Sequence, residues 1–158
     1  MPVEYSEDQI KKVVAFKEKQ SRINREISDR HEHWSITKKH ITDCLEAIKK
    51  RLALTDTYNL ASPRELQFTF GKTNSGFTNG EGESASILTK IGGCLIYRQL
   101  YNGKIKVLIG LPYIDRIRPQ QSLIEIAVLG PRDISQQLVA EHFEAFLEKI
   151  TDWEEEDE

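Results

Sequence analysis

The tripeptide Gly71-Lys72-Thr73 is the first part of the chain whose residue types could do chemistry. It ends like a phosphate-binding loop, in which the lysine and the hydroxyl residue hold phosphate and magnesium. That loop also requires a glycine at position 66, where this chain has Leu66, and a helix directly afterwards. The glycines that follow lie in a polar stretch that opens no helix, so they form no dinucleotide fingerprint. Residues 71–84 are therefore predicted to be a flexible loop.

The histidines are the next candidates, because His31, Glu32 and His33 together look like a metal-binding set. On a helix, however, His31 and His33 point about 200° apart and cannot converge on one ion. His33 and His40 share a helix face, but they lie about 10 Å apart along the axis. One metal ion cannot be held across that distance by these two side chains alone. The histidines are predicted to be exposed, and no metal or other cofactor is expected.

The carboxylates and serines give no better case for catalysis. Asp115 and Glu125 have the order of an acid pair in a metal-dependent nuclease, but no lysine follows at Ala127. Glu125 is therefore predicted to lie on the solvent face of a strand. No serine sits in a nucleophile-elbow motif, and His142 has no evident nucleophile partner in the sequence. The prediction is that the protein is not an enzyme.

Residues 1–57 are predicted to form a long helical arm. Ser6 and Gln9 have the spacing of a capping box, and Tyr5 and Ile10 could close a hydrophobic staple over it. Neither glycine nor proline occurs between Pro2 and Pro63, so nothing forces the helix to stop. A continuous helix would be about 70 Å long, which is more than a domain of this size can cover.

One stripe of the arm is apolar and follows heptad spacing. Its predicted interface residues are Val13, Ile27, Trp34, Ile41, Leu45, Ile48 and Leu52. The alternate positions of the heptad turn polar in the middle of the arm, from Lys17 to Lys38. Two arrangements remain open: a loose or heteromeric coiled coil, or a helical hairpin broken near residues 28–35, where helix formers are poor. In both, the stripe needs another helix, and a homo- or hetero-oligomer is expected.

Residues 64–151 are predicted to form an α+β head with an antiparallel sheet of about four strands and one C-terminal helix. The strands include residues 66–70 and 122–129, with a further strand at 85–91. Asn102-Gly103 predicts a two-residue hairpin turn. It would pair Leu100 with Ile105, Arg98 with Val107 and Ile96 with Ile109, so one face of the hairpin is predicted to be largely aliphatic. The C-terminal helix is expected to be capped at Asp133. Its apolar stripe consists of Leu138, Val139, Phe143, Phe146, Leu147 and Ile150.

The polar face of the predicted hairpin combines aromatic and cationic residues, as a surface that binds nucleic acid does. The residues of this possible ligand face are Tyr97, Tyr101, Lys104 and Lys106, with Arg116 and Arg118 nearby. An ordinary solvated sheet face is the favoured interpretation, because the domain is not strongly basic. A nucleic acid is therefore the less favoured partner.

Composition and charge indicate in which part of the cell the protein is expected. The net charge is −3, and residues 152–158 form an acidic tail that is predicted to be mobile. The two cysteines, Cys44 and Cys94, have no metal-ligand spacing and are interpreted as free thiols in a reducing compartment. No apolar stretch approaches the roughly 20 residues that a membrane span requires. An intracellular location, cytoplasm or nucleus, is expected, without contact to a membrane.

Three strings in the second part of the chain carry a resemblance to a known family. Arg51-Leu-Ala-Leu54 ends the arm, Glu65-Leu-Gln-Phe-Thr-Phe70 begins the strands, and His142-Phe-Glu-Ala-Phe-Leu-Glu-Lys-Ile150 lies in the last helix. This order resembles kinetochore subunits that carry an RWD head on a coiled coil. The loop with Pro112 and Pro119 lacks the tyrosine-proline signature of many RWD domains. The resemblance implies an arm that dimerises with a related subunit and a head that docks a peptide from a neighbouring complex.

Two functions follow from these patterns. The first is a non-enzymatic assembly or adaptor subunit, which oligomerises through its helical arm and binds another protein through its head. The alternative is a module that binds a nucleotide or nucleic acid with the glycine-rich loop and the tyrosine-lysine face.

Overall fold

The computed structural model describes residues 6–79, 86–114 and 120–153 and shows an α+β fold. The helices are α1 (Glu7–Arg51) and α2 (Gln136–Thr151), with a short 3-10 helix at Pro131–Asp133 before α2. The strands are β1 (Thr57–Ser62), β2 (Glu65–Phe70), β3 (Thr73–Asn79), β4 (Ser86–Ile91), β5 (Cys94–Gln99), β6 (Ile105–Gly110), β7 (Tyr113–Ile114) and β8 (Leu123–Leu129).

Helix α1 begins where the sequence predicts. The Ser6 side chain accepts a hydrogen bond from the Gln9 backbone, and the Gln9 side chain accepts one from the Ser6 backbone, at 3.2 and 2.9 Å. The capping box is thus confirmed, while Tyr5 of the predicted staple lies outside the described residues. The helix runs unbroken for 45 residues, so the alternative of a hairpin near residues 28–35 is wrong. Poor helix formers are tolerated there because neighbouring contacts outweigh small propensity differences.

The strands form two antiparallel sheets, one of five strands in the order β1-β2-β5-β6-β8 and one of three in the order β3-β4-β7. The predicted α+β fold with a long N-terminal helix, an antiparallel sheet and a C-terminal helix is confirmed; the large sheet has five strands where about four were expected, and the three-stranded sheet is additional. Strand β1 lies where the arm and its linker were expected, and β3 lies in the segment predicted as a loop. Strand β4 confirms the further strand expected at residues 85–91.

The loop of the β5–β6 hairpin is one residue longer than predicted. The Leu100 N–H donates to the Lys104 carbonyl at 2.8 Å, and the Gly103 N–H donates to the Leu100 carbonyl at 2.9 Å. Gly103 adopts a φ of 80°, as expected for the last residue of a three-residue loop. Gln99 therefore pairs with Ile105, in place of the predicted partner Leu100.

This shift of one residue turns β5 over, because successive side chains of a strand point to opposite faces. Tyr97 now pairs with Val107 and is fully buried, whereas Ile96 lies on the other face. Arg98, expected on the apolar face, instead forms an ion pair with Glu65 at 3.0 Å. The aliphatic face predicted for β6 is confirmed, since its inward residues are all buried.

Helix α2 packs against the large sheet through the predicted stripe. Val139, Phe143 and Phe146 are buried, and the rings of Phe68 and Phe143 meet edge to face with centroids 5.6 Å apart. The predicted cap at Asp133 is wrong by two residues, because Ser135 caps the helix by accepting from the Leu138 N–H.

The second half of α1 belongs to the same core. Trp34, Ile41 and Leu45 are at most 5% exposed and contact the inward residues of the sheet and of α2. The prediction that these three bind a partner is wrong in this fold, because the chain's own head occupies them. The boundary predicted near residues 57–64 therefore does not separate two packing units.

Gly103 gives a direct test of this docking. A Cβ atom at Gly103 would approach the Arg30 Cβ to 2.5 Å and the Ile27 carbonyl oxygen to 3.1 Å. We expect Gly103→Ala to lower the free energy of unfolding by more than about 1 kcal/mol, since the positive φ adds its own strain. Urea denaturation of the purified chain measures this change.

The matched control is Gly130→Ala. Its added Cβ would meet only the carboxylate end of the Asp133 side chain, at 2.9 Å, which can rotate away. An equal loss of stability in both variants would contradict the close packing of the β5–β6 turn on α1.

Candidate functional site

The first part of α1 is a surface that the other described residues leave uncovered. We call residues 7–25 the projecting segment; at a rise of 1.5 Å per residue it is about 28 Å long. Apart from the half-buried Ile23, all of its residues are exposed. Ile10, Val13, Val14 and Phe16 are 56, 52, 49 and 60% exposed, which is unusual for four large apolar side chains in two turns.

The apolar stripe of the projecting segment continues the stripe that enters the core. Phe16, Ile23, Ile27 and Trp34 lie within about 40° of one another around the helix axis. Past that point the buried residues of α1 are Trp34, Thr37, Ile41, Cys44 and Leu45. One stripe is thus covered by the head at its C-terminal end and uncovered at its N-terminal end.

The predicted interface residues fall into three groups along this stripe. Val13 and Leu52 are exposed, at 52 and 51%. Ile27 and Ile48 are half-buried. Trp34, Ile41 and Leu45 are buried in the core. The sequence prediction did not include Phe16 and Ile23. Both fall on the stripe when the alternating spacing of three and four residues is counted from Val13 and Phe16 instead of from Ile10 and Val13.

Polar contacts fix the point at which α1 leaves the head. Asp29 accepts two hydrogen bonds from the Arg132 guanidinium, at 3.0 and 3.2 Å. These bonds hold the pKa of the Asp29 carboxyl below its usual value and raise the pKa of Arg132. Arg30 donates to the Asn102 carbonyl at 3.1 Å, which ties the helix to the β5–β6 turn.

His31 belongs to the same contact. Its Nδ1 lies 3.0 Å from the Gln99 amide nitrogen and its Nε2 lies 2.8 Å from the Tyr101 carbonyl oxygen. With Gln99 as donor, Nε2 carries the proton and donates to Tyr101, which assigns one neutral tautomer. His31 therefore links helix and hairpin. No group of three potential metal ligands occurs in the described part of the chain.

The predicted ligand face is not a continuous surface. Tyr97 is buried, so its assignment to this face is wrong, and Lys104 is half-buried. Lys106 lies 3.6 Å from Glu125, as part of an ordinary outer sheet face. Tyr101 is 87% exposed. Arg116 and Arg118, like Asp115, lie outside the described residues.

A surface pocket of about 290 Å³ lies between the β1–β2 turn and the β5–β6 turn. At the edge of this pocket, the Arg64 guanidinium lies over the Tyr101 ring, 4.5 Å from the ring centroid. Arg98, also in the lining, is neutralised by its ion pair with Glu65. The pocket therefore offers an aromatic surface and one guanidinium without a described carboxylate partner, a combination suited to an acidic or aromatic side chain.

The segment that resembles a phosphate-binding loop has no such geometry. The Gly71 N–H donates to the Asp56 carbonyl at 2.8 Å, and strand β3 begins at Thr73. Phosphate-binding loops need free backbone N–H groups ahead of a helix. The structure thus agrees with the rejection of this motif.

The buried titratable groups lie in the core and not in a cleft. The Tyr97 hydroxyl and Nδ1 of His142 form a hydrogen bond of 2.9 Å. Burial lowers the pKa of His142 and raises that of Tyr97, so both stay neutral. Burial also raises the pKa of the Cys44 thiol, and that of Cys94 to about 11. Protonated buried thiols are poor nucleophiles.

Comparison with known families, with curated proteins and with solved structures gives no match. Among the described residues, no helix is long and apolar enough to cross a membrane.

The Tyr97–His142 pair predicts an acid-dependent loss of stability. The unfolded chain binds a proton near the ordinary histidine pKa of 6.5, whereas folded His142 binds one only at lower pH. Stability from this pair is thus complete above about pH 6.5 and falls as the pH drops towards the folded pKa. We expect the difference in free energy of unfolding between wild type and His142→Gln to shrink from pH 8 to pH 5, measured by urea denaturation.

His40→Gln serves as control, because His40 is exposed on α1. Its stability difference from wild type should change less with pH than that of His142→Gln. A difference for His142→Gln that stays constant or grows in acid would show that His142 is protonated in the fold.

Proposed function

We propose that this protein is a non-enzymatic assembly subunit that binds a partner helix through the projecting segment and a second protein through its head. The observation that carries the proposal is the uncovered apolar stripe on residues 7–25, continuous with a stripe that the head buries. A long helix with one end built into a core and an exposed apolar face at the other end is typical of helix-mediated assembly.

Energetics support a partner for this segment. Residues 7–25 continue a helix whose other half is docked on the head, and most helical stability in proteins comes from the packing of an amphipathic face, which this segment lacks against the described residues. Burial of one large apolar side chain contributes about 1.5–3 kcal/mol. Val13 and Phe16 lie on the stripe and would be buried by a helix that covers it, whereas Ile10 and Val14 lie about 120° and 160° from Phe16 around the helix axis and face other directions.

The head contributes the second binding surface of the proposal. The pocket between the β1–β2 and β5–β6 turns presents Tyr101 and Arg64 beside the place where α1 is clamped. Exposed tyrosine and arginine side chains are common contact residues in protein interfaces. A partner bound there would lie next to the base of the projecting segment.

The alternative of nucleotide or nucleic-acid binding has lost much of its basis. Tyr97 is buried, Lys106 faces Glu125, and the segment at Gly71 is a strand connection. The resemblance to kinetochore subunits with an RWD head stays a prediction, and the proposed assembly role does not depend on it.

Disrupting the stripe tests the proposal. In cells that make the protein, we expect Val13→Asp with Phe16→Asp to shift the chain from its native complex to the size of the free chain. Charges in the middle of the stripe would remain solvated in the free chain but would be buried in the complex. Gel filtration with light scattering on gently prepared extracts measures the size.

Ile36→Asp is the matched control, because Ile36 is 63% exposed on the same helix and lies outside the projecting segment. Both variants should unfold within about 0.5 kcal/mol of wild type when purified, as expected for exposed sites. A complex of unchanged size in the double variant would overturn the proposed role of the projecting segment.

A further inference from the structure

The residues beside the uncovered stripe are basic, and this determines which helix can cover it. In the structure the stripe runs through Val13, Phe16, Gln20 and Ile23 towards the core. When these are taken as the contact row of a coiled coil, the flanking positions of the segment are Ile10, Lys12, Lys17, Lys19 and Asn24, and the three charged ones are all lysines. Flanking residues face each other across such an interface and select the partner by charge.

We propose that the partner of the projecting segment is an acidic amphipathic helix supplied by a different chain. The proposal rests on the assembly role proposed above and adds the chemistry of the partner. The segment carries six cations and three acids; Glu7 and Asp8 lie in its first turn, and Glu18 is the one acid further along it. Within the described residues, only Lys12 of these cations has a carboxylate partner, the exposed Asp8 at 3.0 Å.

A second copy of this chain is a poor partner in either orientation. In a parallel pair, each flanking residue before a contact row faces the flanking residue after that row on the other helix. Lys12 of one copy would therefore lie opposite Lys17 of the second copy. In an antiparallel pair, equivalent flanks face each other, so Lys12 and Lys19 meet lysines again. Like charges at these positions destabilise the pair, whereas glutamates on a partner helix would satisfy them.

The short length of the segment makes this charge preference decisive. Its 19 residues hold fewer than three heptads, and the stripe beyond Ile27 is already covered by the head. A self-associating coiled coil cannot therefore add further apolar rows to offset lysine repulsion. Gln20 in the contact row weakens a self-pair further, because two copies would contribute two polar side chains to a short interface.

Two synthetic probes test the proposal with the full-length chain. Each is a three-heptad peptide with leucine in the contact row, and the flanks are all glutamate in one and all lysine in the other. We expect the glutamate peptide to bind the wild-type chain about tenfold more tightly than the lysine peptide at low salt. Fluorescence anisotropy of labelled peptides gives both affinities.

Charge reversal supplies the matched control. Lys12→Glu, Lys17→Glu and Lys19→Glu combined should invert the preference, so that the lysine peptide binds more tightly. These residues are exposed, so the thermal unfolding midpoint of the head should be unchanged. Val13→Asp with Phe16→Asp should abolish binding of both peptides.

The other outcomes separate this inference from the proposed function. If the wild-type chain dimerises alone at micromolar concentration and Phe16→Asp prevents it, assembly through the stripe holds and the acidic hetero-partner is wrong. Equal binding of the two peptides, or tighter binding to anionic phosphatidylserine vesicles than to the glutamate peptide, overturns the inference. Peptide binding that survives Val13→Asp with Phe16→Asp, or no binding of either peptide to any form of the chain, contradicts the proposed function itself.

Discussion

The burial of one stripe of α1 against the sheet and α2 is the interaction on which the rest of the structure depends. Trp34, Ile41 and Leu45 fill the space between the inward residues of the large sheet and the aromatic residues of α2. Without them the sheet would have only α2 over this face, and a single 16-residue helix covers a five-stranded sheet incompletely. The long helix is therefore a structural part of the head, and removal of the arm as a unit would open the core.

Helix α1 is much longer than the sheet on which it packs, and this difference in length explains why the projecting segment extends beyond the head. Strands of six or seven residues span about 20 Å, whereas a helix of 45 residues is about 68 Å long. The contacts of Asp29 with Arg132 and of Arg30 with the β5–β6 turn fix where the helix leaves the head. The helix before these contacts extends past the sheet, and no other described residue covers its apolar stripe.

The sequence predicted those features that local patterns encode. Ser6 and Gln9 marked the helix start, and the fold class and the apolar stripe of α2 followed from periodicity. The register of the β5–β6 hairpin could not be predicted, because a turn sequence containing Asn102-Gly103 fits loops of two or three residues and tertiary packing selects between them. That one choice moved Tyr97 from a supposed ligand face to the core. Periodicity also showed that α1 needs a partner surface, but not that the head of the same chain supplies half of it.

Amide hydrogen exchange along α1 in the isolated, purified chain tests most directly whether the helix has a built-in half and an uncovered half. The account predicts that residues 34–48 exchange only when the whole domain unfolds, while residues 7–25 exchange at least about 1000-fold faster through local opening. Equal, strong protection from Glu7 to Arg51 would contradict it, and so would fast exchange at Ile41 and Leu45.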